Sequence, residues 1–170
     1  GCVKLAAMTI PNSVTEIGAN AFDGCSALAS ATLGTGVKSL GASAFANCAL
    51  TSLVLPDQLT TLGNGAFRNN PAIAKITFGA GIAAVGDNAF AGNATIERLT
   101  VPKTVTQIGA GAFADWSKLN TLTISGNSLA LIGSKAFANT VLLAVIYAEP
   151  TTAPAIASDS FSGAGASVQG

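Results

Sequence analysis

The stretch Leu50-Thr51-Ser52-Leu53-Val54-Leu55-Pro56-Asp57-Gln58-Leu59-Thr60-Thr61-Leu62-Gly63-Asn64-Gly65-Ala66-Phe67 carries the plan of the whole chain. Apolar residues stand at 50, 53 and 55. The alternation over the last three positions has the two-residue period of a strand with one buried face. Pro56 ends that strand. A second short extended piece runs from Leu59 to Leu62, and Gly63 permits a sharp turn. The Ala66-Phe67 pair then anchors what the pattern predicts to be a short helical turn.

Working outward, the same plan recurs along the sequence. Phe22, Phe45, Phe67, Phe90, Phe113, Phe137 and Phe161 are spaced by 23, 22, 23, 23, 24 and 24 residues, and six of the seven follow alanine. An aliphatic-glycine pair ends four positions before each of the first six: Ile17-Gly18, Leu40-Gly41, Leu62-Gly63, Val85-Gly86, Ile108-Gly109 and Ile132-Gly133. A second aliphatic follows each phenylalanine at Leu28, Leu50, Ile73, Ile96, Leu119 and Leu143, and it opens the strand pattern again. Pro11, Gly34, Pro56, Gly79 and Pro102 close it. A single unit of this kind cannot bury its own apolar edge, whereas stacked units bury it continuously. The period therefore predicts a solenoid with ladders of like aliphatics and one file of stacked phenylalanines. Gly1 to Leu5 share the register of Gly24 to Leu28, so the array is expected to begin partway through a repeat.

The consensus L-x-x-L-x-L-P-x-x-L/V-x-x-I-G-x-x-A-F-x-x-C resembles the BspA-like, or treponemal-type, leucine-rich repeats. Leu50 to Pro56, Leu59, Leu62-Gly63 and Ala66-Phe67 carry it nearly complete, and Phe22 with Cys25 and Phe45 with Cys48 carry the terminal cysteine. The resemblance implies an α/β fold. It would be a right-handed leucine-rich-repeat solenoid, with a parallel β-sheet on the concave face and short extended pieces and 3-10 or helical turns on the convex side. It also implies a bacterial or protozoan surface location, extracellular, cell-surface or periplasmic, and a role in adhesion or self-assembly. The expected organisation is an array of about six repeats over 1–147, the first incomplete, and an irregular C-terminal repeat or cap over 148–170, where Pro150 and Pro154 stand.

Composition narrows the chemistry. Eight basic and eight acidic residues cancel, and only 9% of the 170 residues are charged, so no broad field steers the chain toward nucleic acid. Hydrophobic residues reach 49% with a mean hydropathy of +0.54. Yet the longest apolar run, Val141 to Ala148, is far short of the ~18 residues of a transmembrane span. Histidine is absent, which removes the usual general base and the commonest zinc ligand. The eight acids fall at eight different register positions, so no pair of stacked carboxylates supports glycosidase-type chemistry. No catalytic, cofactor or metal residue is assigned, and the chain reads as non-enzymatic.

Cys2, Cys25 and Cys48 share one register position, continued by Asn70, Asn93, Trp116 and Thr140. Three stacked thiols give poor tetrahedral geometry for zinc, and parallel neighbours meet the disulfide torsion badly. A core ladder is the expected reading, with asparagine bonding backbone carbonyls. Trp116 is too large for a cysteine-sized site: either the loop bulges or the ring turns outward as an interface anchor, and the outward position is the expectation. Gly79-Ala80-Gly81-Ile82-Ala83-Ala84 matches the loose dinucleotide fingerprint, but the register places another extended piece after it and not the helix that fingerprint needs. The sequon Asn93-Ala94-Thr95 falls on the ladder and is expected to be buried.

Two columns face outward from the first strand. One reads Thr9, Thr32, Val54, Thr77, Thr100, Thr123 and Tyr147; its neighbour reads Ala7, Ser30, Ser52, Lys75, Arg98, Thr121 and Val145. Strand propensity alone accounts for threonine here as well as binding does. Lys75 and Arg98 are expected side by side in adjacent strands, where like charges need water, Glu97 or an anion from a partner. Leu131, Val141, Leu142, Val145 and Tyr147 make the last full repeat apolar at positions that should face water. They form either a contact surface or a face covered by the tail. The candidate partner-binding residues are thus Thr32, Val54, Lys75, Thr77, Arg98, Thr100, Thr123, Trp116, Leu131, Leu142, Val145 and Tyr147. The expected partner is a protein (host, matrix or self) and possibly a glycan, with a homo-oligomeric stalk as the rival reading.

Overall fold

Each unit of the sequence folds into one coil with three walls. In this computed structural model residues 1–148 and 153–165 are described, with the backbone alone described at 145–148. The side chains of Val145 and Tyr147, and all of Glu149, Pro150 and Gly170, lie outside the described residues.

The first wall holds the longer strands: β1 (Ala7–Thr9), β3 (Ser30–Thr32), β5 (Ser52–Val54), β7 (Lys75–Thr77), β9 (Arg98–Val101), β11 (Thr121–Ile124) and β13 (Val145–Ala148). The second holds two-residue strands: β2 (Glu16–Ile17), β4 (Ser39–Leu40), β6 (Thr61–Leu62), β8 (Ala84–Val85), β10 (Gln107–Ile108), β12 (Leu131–Ile132) and β14 (Ala155–Ile156). All pairings are parallel, and like pairs with like: Leu40 stands against Leu62, Leu62 against Val85, Val85 against Ile108. The second wall is one unbroken seven-stranded sheet, β2 to β14.

The third wall carries the phenylalanines. All seven predicted rings stack in one file, with successive centroids 5.0 to 5.6 Å apart and planes within 17°. The five inner rings are fully buried. Offset-stacked pairs of this kind add roughly 0.5–1.5 kcal/mol each beyond their burial.

The helical turns expected on this wall are not formed; the described residues contain no helix. The backbone explains why. A left-handed residue stands two positions before the inner rings (Ser43, Gly65, Asn88, Gly111, Lys135) and another two positions after them (Asn47, Asn69, Gly92, Asp115, Asn139). Consecutive right-handed residues, which a helix requires, are thereby prevented. Backbone donors point instead along the solenoid. Each phenylalanine N–H donates to the carbonyl of the residue preceding the next phenylalanine: Phe45 to Ala66 at 2.8 Å, Phe67 to Ala89 at 2.8 Å, Phe137 to Ser160 at 2.8 Å. The turns therefore bond coil to coil, as strands do.

The first wall, by contrast, is interrupted. It divides into β1-β3, β5-β7 and β9-β11-β13. Both breaks fall where a side chain departs in size from its column. The middle inward column reads Met8, Ala31, Leu53, Ile76, Leu99, Leu122, and Ala31 is its one small member. The next column reads Ile10, Leu33, Leu55, Phe78, Val101, Ile124, and Phe78 is its one aromatic. Alanine leaves space beside β3 unfilled, while the Phe78 ring wedges beside β7, edge-on to Phe90 at 5.8 Å. Ile76 and Phe78 are accordingly only half-buried, whereas Leu53, Leu55, Leu99 and Val101 are fully inside.

Candidate functional site

The first wall is the face on which the sequence places outward side chains, and the structure puts them there. Thr9, Thr32, Val54, Thr77 and Thr100 are exposed, and Thr123 is half-exposed. Ser30, Ser52, Lys75 and Arg98 are exposed beside them. Ladder pairing aligns Thr9 with Thr32, Val54 with Thr77, and Thr100 with Thr123. Val54 is an apolar side chain, 64% exposed, in an otherwise hydroxyl-rich column.

Each break in the wall opens a cleft. The first is lined by Ser30, Ala31, Thr32, Ser52, Val54 and Pro56, and the second by Lys75, Ile76, Thr77, Phe78, Arg98 and Thr100, each of roughly 400 Å³. At the first cleft the coils remain tied, with the Thr51 N–H donating to the Ala29 carbonyl at 3.1 Å. At the second, among the described residues, no backbone hydrogen bond joins residues 73–80 to 95–102. Only the Thr95 hydroxyl, donating to the Ile73 carbonyl, crosses that gap.

This corrects the sequence expectation for Lys75 and Arg98. They are not paired in one ladder: Lys75 stands opposite Ser52, and Arg98 opposite Thr121. They face each other across the second cleft. Neither makes an ion pair among the described residues, with Glu97 or any other acid. The clefts themselves were missed in the sequence. Their signals were Ala31 and the eighth phenylalanine, Phe78, both out of size for their columns.

Trp116 is a second correction. Its ring is fully buried, not turned outward. The indole N–H donates to the Phe90 carbonyl at 2.7 Å, and the ring lies edge-on to Phe113 and Phe90, at 5.1 and 6.5 Å. Three other rungs work this way. Cys48 donates to the Phe22 carbonyl at 3.2 Å, Asn70 to Phe45 at 2.8 Å, and Asn93 to Phe67 at 3.1 Å. Each of these reaches one coil back to a phenylalanine carbonyl; those of Phe22 and Phe67 also accept from the Cys25 N–H and from Asn70. Thr140 is too short for that reach and bonds Phe137 of its own coil at 2.8 Å. Trp116 is therefore a core residue and leaves the set of interface candidates. Asn93 is wholly buried, which takes the sequon off the surface.

The cysteines are free thiols: Cys2 is exposed, while Cys25 and Cys48 are buried. Burial pushes the Cys48 thiol up from 9.0 to about 11, with the charges of Cys25 and Asp23 adding to the effect. No group of three or more metal-ligating residues forms among the described residues. All five aspartates serve the stack. Asp23 and Asp115 accept side-chain hydrogen bonds from Asn47 and Asn139 of the next coil, and Asp159 accepts one from Ser134 of the preceding coil; Asp57 and Asp87 accept from the backbone N–H groups of Ala80 and Ala110. Gly79 and Gly81 are spacers, since a Cβ there would lie 2.4 and 2.2 Å from the Pro56 and Asp57 carbonyl oxygens. The segment after them forms β8, not the helix a dinucleotide would need.

At the far end Leu131, Val141, Leu142 and Ile156 are exposed, by 37, 55, 57 and 53%. Leu131 and Ile156 belong to the second wall, and Val141 and Leu142 to the turn before β13. No helix among the described residues is long and apolar enough to cross a membrane.

A stacked parallel-strand solenoid with this ladder and this phenylalanine file defines a class, and the comparisons define the family. The chain belongs to the BspA-type leucine-rich repeat region family, matched as six copies over residues 1–115 and 39–166. It is similar in fold to the crystal structure of a leucine-rich repeat protein from T. pallidum, at 24% identity and a TM-score of 0.83, covering 90% of this chain and 74% of that one. It is also similar to a leucine-rich repeat protein from Eubacterium ventriosum, at 25% identity and a TM-score of 0.78, covering 94% of this chain and 43% of that one. A leucine-rich cell surface protein from Faecalibacterium prausnitzii matches at 25% identity and a TM-score of 0.58, covering 95% of this chain and 52% of that one. The chain thus spans about half or less of the last two. Among proteins of curated function, none matches the chain.

Proposed function

We propose that this chain is a non-enzymatic protein-binding module that engages a host or matrix protein through its first wall, at a bacterial cell surface. The observation that carries this reading is the wall itself. A run of exposed hydroxyls, one exposed valine and two unpaired cations stands on a rigid stacked scaffold, with two clefts between its strands. Rigid elements that present side chains at fixed spacing favour binding because little ordering is left to be done on association. The family supports interaction as the role, and the name of the Faecalibacterium relative supports a surface location. No histidine, paired carboxylate or metal cluster among the described residues suggests catalysis.

The test is surface plasmon resonance of the immobilised chain against a panel of purified matrix and serum proteins. Thr32→Arg with Val54→Arg should abolish a saturable signal while leaving the fold intact by circular dichroism. Saturable binding that survives this change would remove the first wall from the reading.

A second reading rests on Leu131, Val141, Leu142 and Ile156, whose exposed apolar surface fits a contact between copies of the chain. It predicts concentration-dependent mass in light scattering that Val141→Glu with Leu142→Glu removes.

A further inference from the structure

The second cleft has a character that the rest of the surface lacks. The chain has eight cations in 170 residues, and two of them, Lys75 and Arg98, line this one opening. No carboxylate is among its lining residues; Glu97 lines the adjoining opening on the other side of Arg98 and makes no ion pair with it. Its walls are carbon, from Ile76, Phe78 and Pro102, with hydroxyls from Thr77 and Thr100 at the rim. Because β7 and β9 are not laddered to each other, N–H and C=O groups along their facing edges lack the partners that other strands of this wall have. Two cations and free backbone donors around an apolar floor describe a receptor for one anion carried on a carbon stem.

The width of the gap decides what that anion belongs to. Inserting a whole strand between β7 and β9 would require about 9.5 Å, twice the strand spacing. All Cα atoms of β7 and β9 stand more than 8 Å apart, wider than a ladder, while Phe67 and Phe90 of the same coils stack at 5.6 Å and the Thr95 hydroxyl donates to the Ile73 carbonyl before the strands begin. The opening is thus a short wedge, closed at the phenylalanine wall and tied at Thr95, and a side chain can enter it end-on. One coil away, Val54 stands against Thr77 and offers an apolar contact beside the opening.

We infer that the cleft between β7 and β9 receives an acidic side chain of a protein partner. Its carboxylate lies between Lys75 and Arg98, its methylene stem lies against Ile76 and Phe78, and an apolar neighbour of the same segment covers Val54. This rests on the reading of the first wall as the binding face, and it names the chemistry of the partner there. Phe78 is a positioning residue: it holds the cleft open and carries no charge.

The experiment titrates the 15N-labelled chain with the blocked tetrapeptide acetyl-Ala-Glu-Val-Ala-amide, at millimolar concentration and low salt, beside the same peptide with glutamine for glutamate. The glutamate peptide should shift the amides of Lys75, Thr77, Arg98 and Thr100 in a saturable way. The glutamine peptide should bind at least about tenfold more weakly, as the loss of charge-assisted hydrogen bonds implies. Lys75→Ala with Arg98→Ala should abolish the shifts. Phe78→Leu, which keeps both cations, should weaken binding several-fold while the spectrum stays folded. Equal response to both peptides, or shifts confined to other residues, overturns the inference. So does a sulfated disaccharide that shifts the same amides at lower concentration than the glutamate peptide. If Thr32→Arg with Val54→Arg abolishes protein binding but the glutamate peptide leaves the cleft unmoved, the cleft inference alone fails. If the peptide binds the cleft while that double variant leaves protein binding intact, the first-wall reading fails instead.

Discussion

The indole N–H of Trp116 donates to the carbonyl of Phe90, one coil back, at 2.7 Å. It performs the task that Asn93 performs for Phe67 and Asn70 for Phe45, with a side chain of more than twice the bulk. Trp116→Phe keeps most of the volume and removes the donor, leaving a buried carbonyl short of a partner. The expected loss is about 1–3 kcal/mol of unfolding free energy, measured by urea denaturation. Trp116 is also the one tryptophan in the chain. Its fluorescence should be that of a buried indole, resistant to iodide quenching, and should move to longer wavelength on unfolding. An emission already at the solvent-exposed position in the folded protein would contradict the burial.

The asparagine rungs give an internal comparison. Asn70 donates to the carbonyls of Phe45 and Phe67, at 2.8 and 3.1 Å, and its N–H donates to the Asn93 side chain at 2.7 Å. Asn70→Ala strands the Phe45 carbonyl in the core, while Phe67 keeps its bond from Asn93, and should cost about 1–3 kcal/mol. Asn70→Cys places at this rung the residue that Cys48 already provides one coil earlier, where its sulfur reaches the Phe22 carbonyl. It should cost clearly less than Asn70→Ala. Equal urea midpoints for the two variants would remove the donor ladder as the reason for this register position.

The solenoid was legible in the sequence because repetition makes its own argument: Phe22 to Phe161 can stack only if like lies over like. The two residue columns of the first wall were legible for the same reason. What escaped were features that depend on size and reach more than on period. Trp116 looked too large for a cysteine site, yet its reach to a carbonyl one coil back settles where it goes. The third wall looked helical because Ala-Phe pairs favour a turn. But Asn, Ser, Lys and Asp in left-handed conformations around each ring cannot be recognised from residue type alone. Lys75 and Arg98 were placed side by side because the register was taken as uniform. Phe78, off size by one ring in an aliphatic column, breaks that uniformity between them.

Cysteine chemistry should sort by depth. Cys2 is exposed, whereas Cys25 and Cys48 are buried. A maleimide should label one thiol in the folded protein and three in denaturant. The Cys48 thiol is pushed up to about 11 by burial, from an ordinary value of 9.0. A group whose acidity is weakened by folding stabilises the fold fully below its unfolded pKa, and this stability is lost as pH rises through the folded value. Between about pH 9 and 11 the folded state should therefore weaken through Cys48, because only the unfolded thiol ionises freely and because ionisation removes its bond to the Phe22 carbonyl. Urea midpoints at pH 8 and pH 10.5 should fall further for the native chain than for Cys48→Ala. Equal falls would show that Cys48 is not the titrating group.

The break at β3 makes the opposite prediction to most core changes. Ala31 stands in a column of Met8, Leu53, Ile76, Leu99 and Leu122, and the cleft beside it is lined by Ser30, Thr32, Ser52 and Val54. A larger aliphatic there meets open space, unlike the usual over-packing of a filled core. Ala31→Leu adds three carbons to the ladder at about 0.8 kcal/mol per fully buried methylene-sized group, and part of that should appear as a gain of about 1 kcal/mol. It should also draw β3 and β5 together. Hydrogen exchange at the amides of the Thr32 and Ser52 strands should slow, and the urea midpoint should rise. Loss of stability with no change in exchange would mean that the gap at β3 is already set by something other than the missing side chain.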